Sequence, residues 1–396
     1  MSRFLALTAS AEFELHLSTS MGSSHALQVV TATAAMETPF ELLARNLGGI
    51  VDVVILGPDL TEQQAFSLAA GFDRQYPEIS VVLAAHPSAE MMLAAMRSGI
   101  RDVIAPDTEA EQLRASVERA ALTAASRRLV AEGKADPQSS RGRVISVMSP
   151  KGGVGKTTVA TNVAVGLAKI APMGVVIVDL DLQFGDVASG LGLEPSYTIT
   201  DVVSGDAAND AMVLKAYLSP HPTGLYAMCA PLLPADADQI KPAQLSTLIS
   251  QLSLEFPFVV LDTSPGLGEE VLAALELATD GIWVCGMDIP SIRGLSHGLE
   301  VLRQLDLMPP QNIIVLNFAN KHNGLSIKDV EATVGLPVDI VLPQSRTLPF
   351  STNAGVPLLQ DNRKDPTTKG LNNLVAKLTS GSATARKNNH RRAEIS

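Results

Sequence analysis

VISVMSPKGGVGKTTVATNVAVGLA (residues 144–168) runs from a short apolar, β-rich stretch through a glycine-rich turn into residues with helical apolar spacing. Gly152, Gly153 and Gly155 let the turn curl so that successive backbone N–H groups point inward, which makes a cradle for phosphate oxygens. The helix that begins near Lys156 adds its positive N-terminal end. In such a cradle Lys156 places a cation on the outer phosphates, and the Thr157 hydroxyl is a ligand for Mg²⁺. The usual phosphate-loop pattern is GxxxxGK[ST]. Here Pro150 stands at its first glycine, and KGGVGKT is what remains.

Outward from this loop the chain alternates short apolar strands with helix-length segments. Downstream lie VVIVDL (175–180), FVVLDT (258–263), GIWVCG (281–286) and IIVLNF (313–318). Upstream lie FLALTA (4–9), LQVVTA (27–32), VDVVIL (51–56), SVVLAA (80–85) and RDVIAP (101–106). Strands spaced by helices imply βαβ crossovers and parallel sheets buried on both faces. The fold class is therefore α/β with two doubly wound domains: one over 1–125, a phosphate-loop domain over 144–380. Residues 110–131 read as one helix. Residues 126–143 hold its end and a polar linker, EGKADPQSSRGR (132–143), and 381–396 read as a basic disordered tail.

Composition narrows the function. The chain has 396 residues, 46% hydrophobic and 18% charged, enough apolar material for ordinary cores. Aromatics are 4%, so the cores are aliphatic and a base-stacking surface is disfavoured. The net charge of -11 argues against a globally basic nucleic-acid binder. Cys229 and Cys285 form no CxxC, which disfavours a zinc ribbon, a thioredoxin-type site and a disulfide framework. Both sit in apolar strand contexts, as buried inert cysteines do. The start, MSRFLALTASAEFELHL, is a poor signal peptide, and no apolar run approaches a membrane span, so a cytoplasmic location is expected.

KGGVGKT resembles the deviant Walker A motif of the MinD/ParA/iron-protein ATPases. The resemblance implies ATP and Mg²⁺ as cofactors and nucleotide contacts along Lys151, Gly152, Gly153, Val154, Gly155, Lys156, Thr157 and Thr158. It further implies a homodimer closed by ATP, with Lys151 reaching across to the partner's nucleotide. VVIVDLDLQFGD carries Asp179 and Asp181. In the family the second position orients the attacking water and the first lies near the metal. FVVLDTSPGLG resembles Walker B, with Asp262 holding Mg²⁺ through a water. The expected catalytic set is thus Lys151, Lys156 and Asp181, and the metal set Thr157, Asp179 and Asp262. Each aspartate taken alone reads equally as a helix cap. Asn317 falls where the family has an Asn near adenine, though a turn residue fits too, and 342–359 resembles the loop that frames the base.

The N-terminal βα order resembles a response-regulator receiver, without its phosphorylation chemistry. Thr8, Ala9 and Ser10 stand where the acidic pair belongs, Gly57 at the acceptor position with Asp59 two places late, and Ala105 before Pro106 where a lysine belongs. A carboxylate nucleophile beside a held Mg²⁺ is therefore not provided, and a pseudo-receiver for docking or dimerisation is expected. A receiver-like unit fused to a deviant Walker ATPase resembles the TadZ/CpaE family, which implies a slow ATPase that places or assembles Flp/Tad-type pilus secretion machinery, with that machinery or polar hub proteins as partners.

Other readings differ in class. A ParA-like DNA-segregation ATPase would use the basic tail, against the acidic overall charge. A MinD-like positioning ATPase needs a terminal amphipathic helix. LNNLVAKLT (371–379) offers only Leu371, Leu374, Val375 and Leu378, which argues against direct membrane insertion. A nucleotide-binding scaffold without turnover is the third.

Overall fold

The computed structural model describes residues 3–22, 26–31, 38–44, 50–86, 88–131, 141–204, 211–320, 324–361 and 364–392. Most of the expected linker lies outside these residues, as do 393–396. The chain divides into two compact units, one built mainly on residues 1–142 and one mainly on 143–396.

The first unit holds β1 (Arg3–Leu7), β2 (Ala26–Val30), β3 (Val53–Leu56), β4 (Ser80–Ala84) and β5 (Asp102–Ile104). They pair in parallel in the order β2-β1-β3-β4-β5, the order of flavodoxin-like doubly wound sheets. All four residues of β3 are buried, as a sheet covered on both faces requires. One face packs Phe4, Ala6, Val53, Ile55 and Val82 with Phe13, Leu17, Leu113 and Val117 from the helices Ala11–Met21 and Ala110–Ala131. Helix starts follow local chemistry: Ser10 accepts from Phe13 N, and Thr61 forms a capping box with Gln64.

At the carboxyl end of this sheet, Asp59 accepts hydrogen bonds from Ala9 N at 2.7 Å and from the Thr8 hydroxyl. A Cβ built on Gly57 would collide with Thr8 and Asp59. Position 57 therefore has no room for a side chain.

The second unit holds β6 (Arg143–Met148), β7 (Val175–Leu180), β8 (Ser219–His221), β9 (Leu225–Met228), β10 (Phe258–Thr263), β11 (Asp280–Gly286), β12 (Gln311–Ala319) and β13 (Ile340–Pro343). Their order is β13-β12-β11-β6-β10-β7-β9-β8, and the pairs from β13 through β7 are parallel. β10 lies between β6 and β7, so the chain skips a position directly after the glycine-rich turn. The carboxyl ends of these three strands therefore form the crevice where open α/β sheets bind ligands. Below it, Trp283 is fully buried with Leu295, Leu299 and Ile314, and its Nε1 donates to Asn312 Oδ1 at 2.8 Å.

The C-terminal segment differs from expectation. Pro366–Arg392 forms one helix, so residues 381–392 are not the disordered tail their composition suggested. No proline follows Pro366 to break the helix, and Ala383, Ala385, Arg386 and Lys387 are good helix formers. Leu371, Leu374, Val375 and Leu378 are all buried. Val375 packs where Gly166 of the helix Lys156–Ala168 leaves space, and Arg143 bridges Asp280 to the Leu378 carbonyl.

Candidate functional site

The turn after β6 is shaped by two left-handed glycines, Gly153 at φ +75 and Gly155 at φ +91, the latter capping the helix Lys156–Ala168. Ser149 Oγ accepts from Lys151 N at 3.2 Å. Pro150, the departure from the common motif, lies against the helix Ile289–Gln304: a Cβ on Gly298 would sit 2.8 Å from its Cγ.

Lys156 is buried at the head of its helix. Burial pulls its pKa below the ordinary lysine range, while Asp262 and Asp181 oppose that pull. Asp262 is the next-to-last residue of β10, in register with Val147 on β6 and Asp179 on β7. It is fully buried, and neither carboxylate oxygen makes a well-formed hydrogen bond. Burial raises its carboxyl from 3.8 to about 7, although the nearby Thr157 hydroxyl and the Lys156 charge both work against this. A buried carboxylate without a well-formed hydrogen bond, next to a threonine hydroxyl and a lysine, has the donor chemistry that hydrated Mg²⁺ requires.

Asp181 is half-buried on a cleft of about 320 Å³, with Gln183, Asp238, Ser264 and Glu270 around it. Lys156, Thr157, Asp181 and Asp262 thus come together at one place. Three further expected site residues make contacts within the protein. Asp179 spends both oxygens on backbone: Oδ1 accepts from Asp181 N at 3.1 Å and Oδ2 from Val187 N at 3.0 Å. Burial first, then the charge of Asp262, holds its pKa well above the usual carboxylate range. It ties down the 181–187 loop, which crosses so closely that a Cβ on Gly185 would collide with it. Asn317 is 2% exposed and donates from Nδ2 to the Val154 carbonyl at 2.8 Å, a contact with the loop. Lys151 points away from the carboxylate cluster and reaches Asp288 at 3.5 Å, with both side chains about half exposed.

A second cavity, of about 400 Å³, is lined by Thr157, Thr158, Asp186, Ser351, Thr352 and Asn353 among others. The 342–359 segment therefore reaches the flank of the phosphate-loop helix. Asn162 joins them: Nδ2 donates to the Thr158 carbonyl at 2.8 Å, and Oδ1 accepts from Leu359 N at 3.0 Å. Asn162 and Asp288 were missed from sequence. A lone Asn inside an apolar helix signals a buried partner, without saying which. Cys229 and Cys285 are buried, and burial pushes each thiol up to about 12. Among the described residues no helix is long and apolar enough to cross a membrane.

A family model described as an AAA domain matches residues 142–313. The septum site-determining protein MinD of Thermotoga maritima is 27% identical over 244 residues, which cover 60% of this chain and 88% of that protein. MinD of Synechocystis sp. is 26% identical over 245 residues, covering 60% and 89%. Among solved structures, a ParA family ATPase from Chlorobium tepidum aligns with TM-score 0.56 at 22% identity, covering 59% of this chain and 98% of that one. MinD of Pyrococcus horikoshii, complexed with Mg-ADP, aligns with TM-score 0.53 at 23% identity, covering 60% and 96%. The structural likeness establishes an α/β P-loop fold of the ParA/MinD type for the second unit. Over the second unit the sequence is thus similar to MinD proteins, in a region that the AAA-domain model also matches.

Proposed function

We propose that this chain is an ATP-driven dimerisation switch that hydrolyses slowly and places or assembles a Flp/Tad-type pilus secretion machinery. The observation that carries the switch is Asp262: a fully buried carboxylate whose oxygens lack a well-formed hydrogen bond, beside Thr157 and Lys156. Such a group is costly alone and is relieved by a cation and a phosphate chain.

In this reading the N–H groups of residues 152–156 bind the outer phosphates, and Lys156 neutralises them. Thr157 and Asp262 would hold Mg²⁺, directly and through a water, and the ion would supply charge neutralisation between the phosphates. Asp181 orients the attacking water. Asp179 sets where Asp181 stands, through the bond to its backbone N–H. Lys151 leaves Asp288 to reach the partner's nucleotide. The exposed pair is weak, worth about 0–1 kcal/mol, so it is easily exchanged. Hydrolysis removes the γ-phosphate that favours the closed pair and reopens it.

The pilus assignment draws on the second unit's union with a five-stranded unit whose sheet order matches receivers but whose acceptor position is the crowded Gly57. We take that unit as a docking module. The MinD-like reading is favoured by relatives matched over most of their length. It meets an obstacle in the burial of Leu371, Leu374, Val375 and Leu378, which are not available to insert in lipid. Sedimentation with and without Mg-ATP, calorimetric titration and phosphate release test the switch. Absence of nucleotide binding by folded protein refutes it. Loss of surface pili on gene deletion tests the assignment, and liposome flotation tests the rival.

A further inference from the structure

Asn317 is far from the phosphate loop in sequence and against it in space. The pairing of β12 with β13 runs through Val315↔Ile340 and Leu316↔Val341, then jumps to Ala319↔Pro343. The irregularity falls on Asn317 and Phe318, where a bulge re-aims a side chain. Phe318 takes φ +54, a region bulky residues rarely enter. Its N–H donates to Asn317 Oδ1 at 2.9 Å. That bond leaves Nδ2 facing the loop, where it donates to the Val154 carbonyl at 2.8 Å. The amide cannot be reversed, because one neighbour can only donate and the other can only accept. Gly155 makes the approach possible: a Cβ there would lie 2.5 Å from Nδ2.

A phosphate cradle needs its carbonyls turned outward, since a carbonyl turned inward would repel the anion. A carbonyl turned outward into protein needs a donor. We infer that Asn317 is a positioning residue that holds the Val154 carbonyl away from the phosphates and so presets the loop for a triphosphate of any base. This rests on the nucleotide-binding reading above. It departs from a base-reading role for the same residue, and the two roles separate experimentally.

The test is calorimetric titration of the full chain with ATP, GTP and inorganic tripolyphosphate, each with Mg²⁺. Asn317→Asp keeps the acceptor for Phe318 N–H and replaces the donor with an oxygen facing the Val154 carbonyl. All three ligands should weaken together, by about tenfold or more, with the ATP-to-GTP ratio at its wild-type value. Asn317→Ser, smaller and neutral, gives a second reading if the aspartate variant does not fold. Loss of ATP binding with tripolyphosphate unaffected would make Asn317 a base reader and overturn the inference. A lower melting midpoint with unchanged affinities would leave it a merely structural residue, which also overturns it. Wild-type protein that binds none of the three removes the nucleotide reading itself. Wild-type binding matched by both variants removes only the brace.

Discussion

Asp262→Asn should stabilise the ligand-free protein at alkaline pH and abolish its stabilisation by Mg-ATP. Asp262 is fully buried, and burial raises its carboxyl from 3.8 to about 7. The unfolded chain titrates this group near its ordinary value, so between the two values the native state holds a proton that the unfolded state has lost. Stability therefore falls as pH rises through that window, and the whole penalty is present above about pH 7. Roughly three pH units at about 1.36 kcal/mol each sets a ceiling near 4 kcal/mol. That ceiling already contains the opposing Lys156 charge, and relaxation around a buried carboxylate lowers it further, so about 2 kcal/mol is the working figure. For a domain of ~150–250 residues that is a rise of about 4–8 °C in Tm. At pH 5 the native carboxyl is still protonated and nearly isosteric with the amide, but the unfolded chain has released its proton, so the variant's advantage should shrink to about a third of its alkaline value and vanish only below about pH 4. Thermal melts at pH 5 and pH 8, in chelator and then in Mg-ATP, read all four conditions. If the Asp262→Asn variant melts below wild type at pH 8 without ligand, the carboxylate supports the fold and the argument fails.

Other perturbations separate roles within the same site. Lys156→Ala should weaken ATP by about a hundredfold or more in calorimetry, since the cation is buried at the phosphate position. Lys151→Ala should leave the melting midpoint within about 1 °C, its ion pair being exposed, yet eliminate the ATP-dependent dimer in sedimentation. Gly185→Ala forces a Cβ into Asp179 and Ala230 and should cost about 1–3 kcal/mol in denaturant melts. Gly57→Asp should not create a phospho-acceptor: the side chain meets Thr8, so the protein should be destabilised and remain unlabelled by acetyl phosphate.

What could be read from the sequence follows the range of the forces involved. VVIVDL and FVVLDT were legible as strands because a sheet covered on both faces selects continuous apolar runs, and both observed strands coincide with those runs. The phosphate loop was legible because its glycines answer a local backbone demand. β8 was not: three residues including Pro220 carry no pattern, and only its neighbour holds it in place. The backbone partners of Asp179, the N–H groups of Asp181 and Val187, were not legible because they depend on how the 181–187 loop folds back. The contact of Asn317 with the loop was hidden for a similar reason, since a bulge decides where its amide points, and bulges leave no reliable mark in one sequence. The tail was misread from charge, although alanine, arginine and lysine are also good helix formers.

The site has an asymmetry that bears on how a switch is built. The polar groups that shape it are satisfied within the protein: Asp179 by backbone N–H groups, Asn317 by Phe318 and Val154, Asn162 by Thr158 and Leu359. Asp262, where the ligand chemistry converges, is the group left without a well-formed hydrogen bond. The frame is thereby rigid before the nucleotide arrives, and the cost of the ligand-free state is concentrated on one carboxylate. Binding then relieves a local penalty and need not remodel the fold, which makes stabilisation by ligand large and conformational reorganisation small. The signal to a second subunit must therefore leave through the parts that are not locked: Lys151, held by one exposed ion pair, and Asp181, half-exposed on its cleft. If the coupling ran instead through wholesale reordering, hydrogen exchange would slow across β6, β7 and β10 on adding Mg-ATP. On the present argument the slowing is confined to the turn at 150–157 and the loop at 181–187.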